Sequence, residues 1–213
     1  MKFKAVIFDL DYTLYDESIF LLKAIKKTKI FKEKSDIQSL NINYNFRIKS
    51  KNIFKDILES KGLDNKDNLE KLFETCIKSK IKIYLYKNIR NLLNKLKEKK
   101  IKIGLLTNGN KKIQENKIKQ LNVKNLFDCV IFANKIGFQK PHKNSFLHIL
   151  RKLNAKTNET LFVGDNKNTD IKGARALGMK TFWINHLSTN SPDLKNVVNN
   201  PNLAAQKILK LIK

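Results

Sequence analysis

Two carboxylates stand one residue apart in "FDLDYT", residues 8–13, directly after the apolar run Ala5, Val6, Ile7 and Phe8. A strand that buries apolar side chains and then ends in Asp9 and Asp11 has set charge beside a core, and buried charge demands a partner. An Asx turn or a helix cap would account for such a pair taken alone. Other apolar runs, however, close in polar residues in the same way. Thr107 and Asn108 follow Leu105 and Leu106, Lys140 precedes Pro141 in the loop after a further run, and Asp165 and Asp170 stand in "VGDNKNTD" after Leu161 and Phe162. Gathered in one crevice, such carboxylates attract Mg²⁺, which keeps several waters and takes only a few protein oxygens plus a substrate phosphate. Thr107, backbone amides and Lys140 would then face phosphate oxygens. A carboxylate nucleophile, a metal, a cation and neutral donors are the parts that phosphoryl transfer needs.

Convergence of these residues requires a particular arrangement of elements. Short apolar runs at residues 3–8, 101–106, 129–133, 160–163 and 180–184 are expected as strands, the first four ending in polar chemistry. Helical spacing separates them: Ile89, Leu92, Leu93 and Leu96; Ile113, Ile118 and Leu121; Phe146, Leu147, Leu150 and Leu153; Ile171, Ala174 and Leu177, closed by Gly178; and a last helix over residues 203–212. This alternation implies an α/β fold, a doubly wound, Rossmann-like parallel sheet, in which ligands bind beyond the carboxyl ends of the strands. Residues 16–86 break the alternation with helix-like spacing alone, as at Leu21, Leu22 and Ile25, at Ile53, Ile57 and Leu58, and at Leu69, Leu72, Phe73 and Ile77. They are expected to form an all-helical domain inserted after the first strand, with residues 1–15 and 87–213 as the core. Residues 185–202, rich in Asn with two Pro, are expected to be an irregular surface segment.

With the motifs in this order, "DLDYT" at 9–13, "LLTNG" at 105–109, Lys140 before Pro141 and "GDNKNTD" at 164–170, the sequence resembles the phosphatase branch of the haloacid dehalogenase (HAD) superfamily. The resemblance implies that Asp9 attacks phosphorus and becomes an aspartyl phosphate, while Asp11 protonates the leaving alcohol and then activates water. It implies Mg²⁺ held by Asp9, the backbone carbonyl of Asp11, and Asp165, with Asp170 in support. Thr107 and Asn108 would bind the transferring phosphate, and Lys140 would neutralise nucleophile and phosphate together. The helical insertion would be the family's cap. Asp11 favours a phosphatase over a dehalogenase, because an alkoxide leaves with a proton and a halide does not. The run from Thr107 through "GFQKPHKNSF" is similar to the subgroup with sugar-phosphate phosphatases and nucleotidases, so the expected partner is a small phosphorylated metabolite. A mutase or phosphotransferase that hands the aspartyl phosphate to a second alcohol is the nearest alternative.

The formal net charge of +25 suggests a different class, a basic nucleic-acid-binding protein. Yet only four of the basic residues are Arg, the 40 Lys are spread along the whole chain, and Lys, Asn and Ile fill 90 of 213 positions. That balance follows from A/T-rich codons, and the Arg forks and interleaved aromatics of base and phosphate readers are missing. No specific nucleic acid is expected. No apolar run of 18 residues occurs and the N-terminus lacks a signal-peptide pattern, so a cytoplasmic monomer or homodimer without membrane contact is expected. Cys76 and Cys129, with no metal-site spacing, are expected to be buried, reduced thiols. His142 reads as a turn or helix start, His148 and His186 as surface or packing residues, Asp128 as a loop residue, Trp183 as core and Asp16 as a helix start. Tyr12 is assigned no chemistry.

Overall fold

In a computed structural model, which describes residues 3–187 and 196–212, the apolar runs form strands β1 (Ala5–Phe8), β2 (Lys102–Thr107), β3 (Cys129–Phe132), β4 (Thr160–Gly164) and β5 (Lys180–Ile184). They pair in parallel in the order β3-β2-β1-β4-β5. A sixth strand, β6 (Val197–Val198), pairs with β5 and extends this edge. Residues 185–202 are therefore not wholly irregular as expected, because two valines complete the sheet. Residues 188–195 of that stretch lie outside the described residues.

Side chains alternate across the sheet as period two requires. Val6 and Phe8 join the apolar cluster on one face, with Leu105, Leu161 and Val163, whereas Ala5, Ile7 and Phe162 join Phe146, Ile149 and Leu150 of α8 (Lys143–Leu153) on the other. Burial on both faces is what makes the strands continuous apolar runs. At Gly104 of β2 a Cβ would stand 2.8 Å from Ile149 Cδ1 and 2.9 Å from Leu153 Cδ1, so the missing side chain lets α8 approach the sheet.

Helices α6 (Ile89–Glu98), α7 (Lys111–Leu121), α9 (Lys172–Ala176) and α10 (Ala204–Leu211) complete the alternation. The chain's abundant Asn punctuates helices at both ends. Asn110 caps α7 by accepting from Lys112 N at 3.0 Å, while Asn122 and Asn154, at φ 52° and 51°, close α7 and α8 in the left-handed region that Asn tolerates.

Between β1 and α6 the described elements are all helices: α1 (Glu17–Thr28), α2 (Lys34–Gln38), α3 (Tyr44–Lys49), α4 (Ile53–Glu59) and α5 (Lys66–Lys78). Asp16 caps α1 by accepting from Ser18 N at 2.9 Å. The chain leaves and re-enters side by side: Tyr15 bridges Leu85, and Tyr86 N donates to Leu14 O at 2.8 Å. Phe20, Leu21, Ile25, Leu72 and Cys76 of these helices share one apolar cluster with Phe8 and Leu105 of the sheet. Cys76 is buried, but Cys129 is half-buried, because β3 is an edge strand with one flank uncovered.

Candidate active site

The strand order reverses between β1 and β4, so the residues following these two strands meet at the switch point. Asp9 leaves β1 beside Asp165, which leaves β4; Asp9 N donates to Val163 O at 2.9 Å and fixes the pair. Asp170 returns to them from a π-helical turn, Lys167–Ile171, whose start is capped by Asn166. Oxygens of Asp9, Asp165 and Asp170 all lie within 4.8 Å of one another, and all three side chains are buried. Lys140 Nζ stands 2.5 Å from Asp9 Oδ1 and 2.7 Å from Asp170 Oδ1. Asp165 Oδ1 accepts from Thr13 Oγ1 at 3.1 Å, and Asn166 N donates to Asp170 Oδ2 at 3.1 Å. The glycine of "GDNKNTD" has a steric reason, since a Cβ on Gly164 would fall on the Asp170 carboxylate.

One ammonium among three carboxylates leaves an excess of negative charge. Burial, with Asp170 and Asp11 adding to it and Lys140 opposing, pushes the Asp9 carboxyl up to about 7. Burial, then Asp170 and Asp9, pushes Asp165 well above the usual carboxylate range. Burial opposes the charge on Lys140, yet Asp170 and Asp9 hold its pKa above the usual value. A hard divalent cation answers such a cluster: it offsets the charge and is matched by three carboxylates at one point. The donor set therefore fits Mg²⁺.

Asp11 faces a different environment. Its Oδ1 accepts from Tyr15 OH at 2.6 Å and Lys117 Nζ at 2.8 Å, and its Oδ2 from Gln114 Nε2 at 2.8 Å. Burial alone would raise its carboxyl, but the Lys117 charge and these three donors hold it below the usual range. The two acids of "DLD" are thus driven in opposite directions. Lys117 is itself buried and also bonds Glu17 Oε1 at 2.8 Å, while Glu17 Oε2 accepts from Arg47 Nε at 2.9 Å. A chain of charges runs from Asp11 through Lys117 and Glu17 to Arg47 of α3.

All seven residues singled out from sequence line one cavity of about 410 Å³. Thr107 Oγ1 accepts from Gln114 Nε2 at 2.7 Å. Asn108 is engaged in positioning, because its Nδ2 donates to Lys140 O at 2.9 Å and its Oδ1 accepts from Lys140 N at 2.8 Å. This reciprocal pair holds the Lys140 loop against β2, and it occupies the amide that was expected to face phosphate.

Several residues escaped the sequence reading. Lys117 falls on the apolar stripe of α7, four residues from both Ile113 and Leu121, and a lone charge on such a stripe is a signal that could have been noticed. Glu17, Arg47, Gln114 and Tyr44 carry no such mark. Trp183 is half-buried rather than simply core, since its Nε1 donates to Asp165 O at 2.7 Å, where Tyr44 OH also donates at 3.0 Å. His186 packs against Tyr12, Tyr44 and Tyr86 with Nε2 2.6 Å from Tyr12 O. His142 caps α8 and is exposed, His148 lies half-buried on α8, and Asp128 accepts from Ile103 N at 2.8 Å beside β3.

Comparison with known proteins agrees with this geometry. Residues 6–184 match the family described as haloacid dehalogenase-like hydrolase. A glyceraldehyde 3-phosphate phosphatase from Methanocaldococcus jannaschii is 31% identical over 85% of this chain and 84% of its own. An N-acylneuraminate-9-phosphatase from Mus musculus is 25% identical over 86% of this chain and 83% of its own. Among solved structures, the HAD-hydrolase YfnB from Bacillus subtilis, bound to magnesium, superposes with a TM-score of 0.74 at 16% identity, covering 100% of this chain and 99% of that one. Sheet order, motif spacing and sequence identity thus agree, and the chain belongs to the haloacid dehalogenase-like hydrolases.

Proposed function

We propose that the protein is a Mg²⁺-dependent phosphatase that hydrolyses phosphate monoesters of small metabolites through an aspartyl phosphate on Asp9. The observation that carries this reading is the buried cluster of Asp9, Asp165 and Asp170 against Lys140 at the strand ends, with Asp11 of the same motif lining the same cavity. The phosphatases among its relatives support the same reaction class.

Asp9, Asp165 and Asp170 would hold Mg²⁺, with the backbone carbonyl of Asp11, and the ion supplies electrostatic stabilisation of the transferring phosphoryl group. An Asp9 carboxylate oxygen bonds to phosphorus as the ester P–O bond breaks. Lys117 and its other donors favour the Asp11 carboxylate, so Asp11 takes a proton from solvent as the phosphate dianion arrives beside it and raises its carboxyl, and gives that proton to the departing alkoxide. Asp11, now a carboxylate, takes a proton from water, whose oxygen attacks phosphorus and frees Asp9 and inorganic phosphate. Lys140 offsets charge on Asp9 and on the phosphoryl oxygens throughout. Thr107 and the backbone after it border the phosphate position. The helices of residues 16–86 act as a cap whose joints are the paired segments at Tyr15 and Leu85. The same reading has the protein acting in the cytoplasm, as a monomer or homodimer, on a small phosphorylated partner. Among the described residues no helix is long and apolar enough to cross a membrane.

Rapid quench of Asp11→Asn protein with an activated aryl phosphate tests the route. The leaving phenolate needs no proton, so the first step survives while water activation fails, and intact mass shows one added phosphoryl group that Asp9→Asn protein lacks. Full steady-state turnover by Asp9→Asn, with the protein folded, would refute the covalent route.

A further inference from the structure

Helix α7 presents two buried polar side chains, three residues apart, to the two oxygens of one carboxylate. Lys117 holds Asp11 Oδ1 and Gln114 holds Oδ2, the spacing that sets side chains on one helix face. Gln114 does not serve Asp11 alone. Its Nε2 stands 2.8 Å from Asp11 Oδ2 and 2.7 Å from Thr107 Oγ1, so one nitrogen bridges an oxygen just beyond the end of β1 and another at the end of β2. Asp11 and Thr107 both line the cavity, whereas Gln114 is 1% exposed and acts on it only through them. Gly109 makes room for the amide, since a Cβ there would stand 2.5 Å from Gln114 Cδ and 2.7 Å from its Nε2.

These contacts leave each of the two cavity groups with one free function. Asp11 Oδ1 accepts from both Tyr15 OH and Lys117 Nζ, which fills its two acceptor positions. Oδ2 accepts from Gln114 alone, so its second lone pair is where Asp11 can carry a proton for a leaving oxygen. Thr107 Oγ1 accepts from Gln114 Nε2 and, at 3.4 Å, from Gly109 N. With both acceptor positions met by N–H groups and no acceptor for the hydroxyl among the described residues, its proton is left to donate to an anion.

Resting on the phosphatase reading, we propose that Gln114 is a positioning residue that locks Asp11 and Thr107 into one unit, with Asp11 Oδ2 set for the ester oxygen that leaves and the Thr107 hydroxyl for a non-bridging oxygen of the same phosphate. Both oxygens belong to one phosphorus. The proton donor and the phosphate donor must therefore keep a fixed separation, and a buried amide nitrogen bonded to both fixes it.

Two esters with the same phosphoryl group, 4-nitrophenyl phosphate and phenyl phosphate, make the test, because the second leaves as the more basic phenolate and depends more on a delivered proton. Gln114→Met keeps the length of the side chain and removes the amide. With Mg²⁺ present, its kcat/KM is expected to fall at least about tenfold further for phenyl phosphate than for 4-nitrophenyl phosphate, a part of the roughly 10² to 10⁴ that a positioned acid contributes. Gly109→Ala, which crowds the amide without removing it, should shift the ratio of the two esters in the same direction. Inorganic phosphate as a competitive inhibitor reads the other partner: Gln114→Met should weaken its binding several-fold in the parent but not in a Thr107→Val background, where the hydroxyl is already gone. General damage to the fold would lower both esters alike. Equal losses on the two esters, or phosphate affinities whose losses add, overturn the positioning role while the phosphatase reading stands. No turnover of either ester by the parent overturns both.

Discussion

Lys117 shows how much one residue can organise. Its ammonium is shared between Asp11 and Glu17, and with all three side chains largely removed from water the cost of desolvation is offset only while the set is complete. Replacing it by Met keeps the length of the side chain and leaves two buried carboxylates short of their cation. Lys117→Met is expected to lose about 3–5 kcal/mol of stability in urea unfolding, the cost of breaking a buried pair from one side. Tyr15, Gln114 and Arg47 remain as partners, so the lower end of that range is expected. The double variant Lys117→Met, Glu17→Gln should recover part of the loss, since it removes one stranded charge. A single variant as stable as the parent, or a double variant with purely additive losses, would mean that the charge chain is not coupled. The opposite pull on Asp9 and Asp11 belongs to this scale too: burial raises both carboxyls, Asp170 and Asp11 add to it at Asp9 against Lys140, and at Asp11 the Lys117 ammonium with two neutral donors outweighs it.

Elements act by delivering these residues to one place. Strand β4 ends in Gly164, and the π-helical turn after it brings Asp170 back over that position, where only a hydrogen leaves room for the carboxylate. Gly164→Ala should therefore displace Asp170 from Lys140 and Asn166 at an overpacking cost of about 1–3 kcal/mol. Its clearest effect is expected on the metal: the Mg²⁺ concentration giving half-maximal activity should rise at least several-fold, with far-ultraviolet circular dichroism unchanged. A variant with the parent's Mg²⁺ dependence would show that Asp170 can move without consequence. Much at this scale was legible in the sequence. Strands β1 to β5 announce themselves because burial on both faces forces unbroken apolar runs, and the helices because one apolar stripe faces the sheet. Strand β6 was missed because two residues carry no period and nothing flanking them marks a strand. The steric meaning of Gly164 was hidden as well, for it depends on where Asp170 returns.

At the scale of the whole molecule the charge of +25 becomes a question of distribution. Among the described residues only Lys117 and Lys140 are buried lysines, and both are paired inside the cavity wall. The other described lysines lie nearer solvent, where they attract anions at long range and are screened by salt. For a phosphate ester, kcat/KM is expected to fall several-fold between low and physiological ionic strength with kcat nearly constant, as salt weakens encounter rather than chemistry. A parallel fall in kcat would place the salt effect in the active site instead. The helices of residues 17–78 also belong to this scale, since Phe20, Leu72 and Cys76 complete the apolar cluster that covers Phe8.

The α/β alternation, the four motifs and the gathering of Asp9, Asp11, Thr107, Asn108, Lys140, Asp165 and Asp170 in one cavity could be read along the chain, because chemistry at strand ends leaves short, ordered marks next to apolar runs. Only in the folded chain do the partners of those residues become apparent. Which ammonium each acid meets, and which of 40 lysines is buried beside Asp11, depend on contacts between residues as far apart as Asp11 and Lys117 or Glu17 and Arg47. Such pairs have no spacing rule along the chain, since the distance that sets their energy is measured through space.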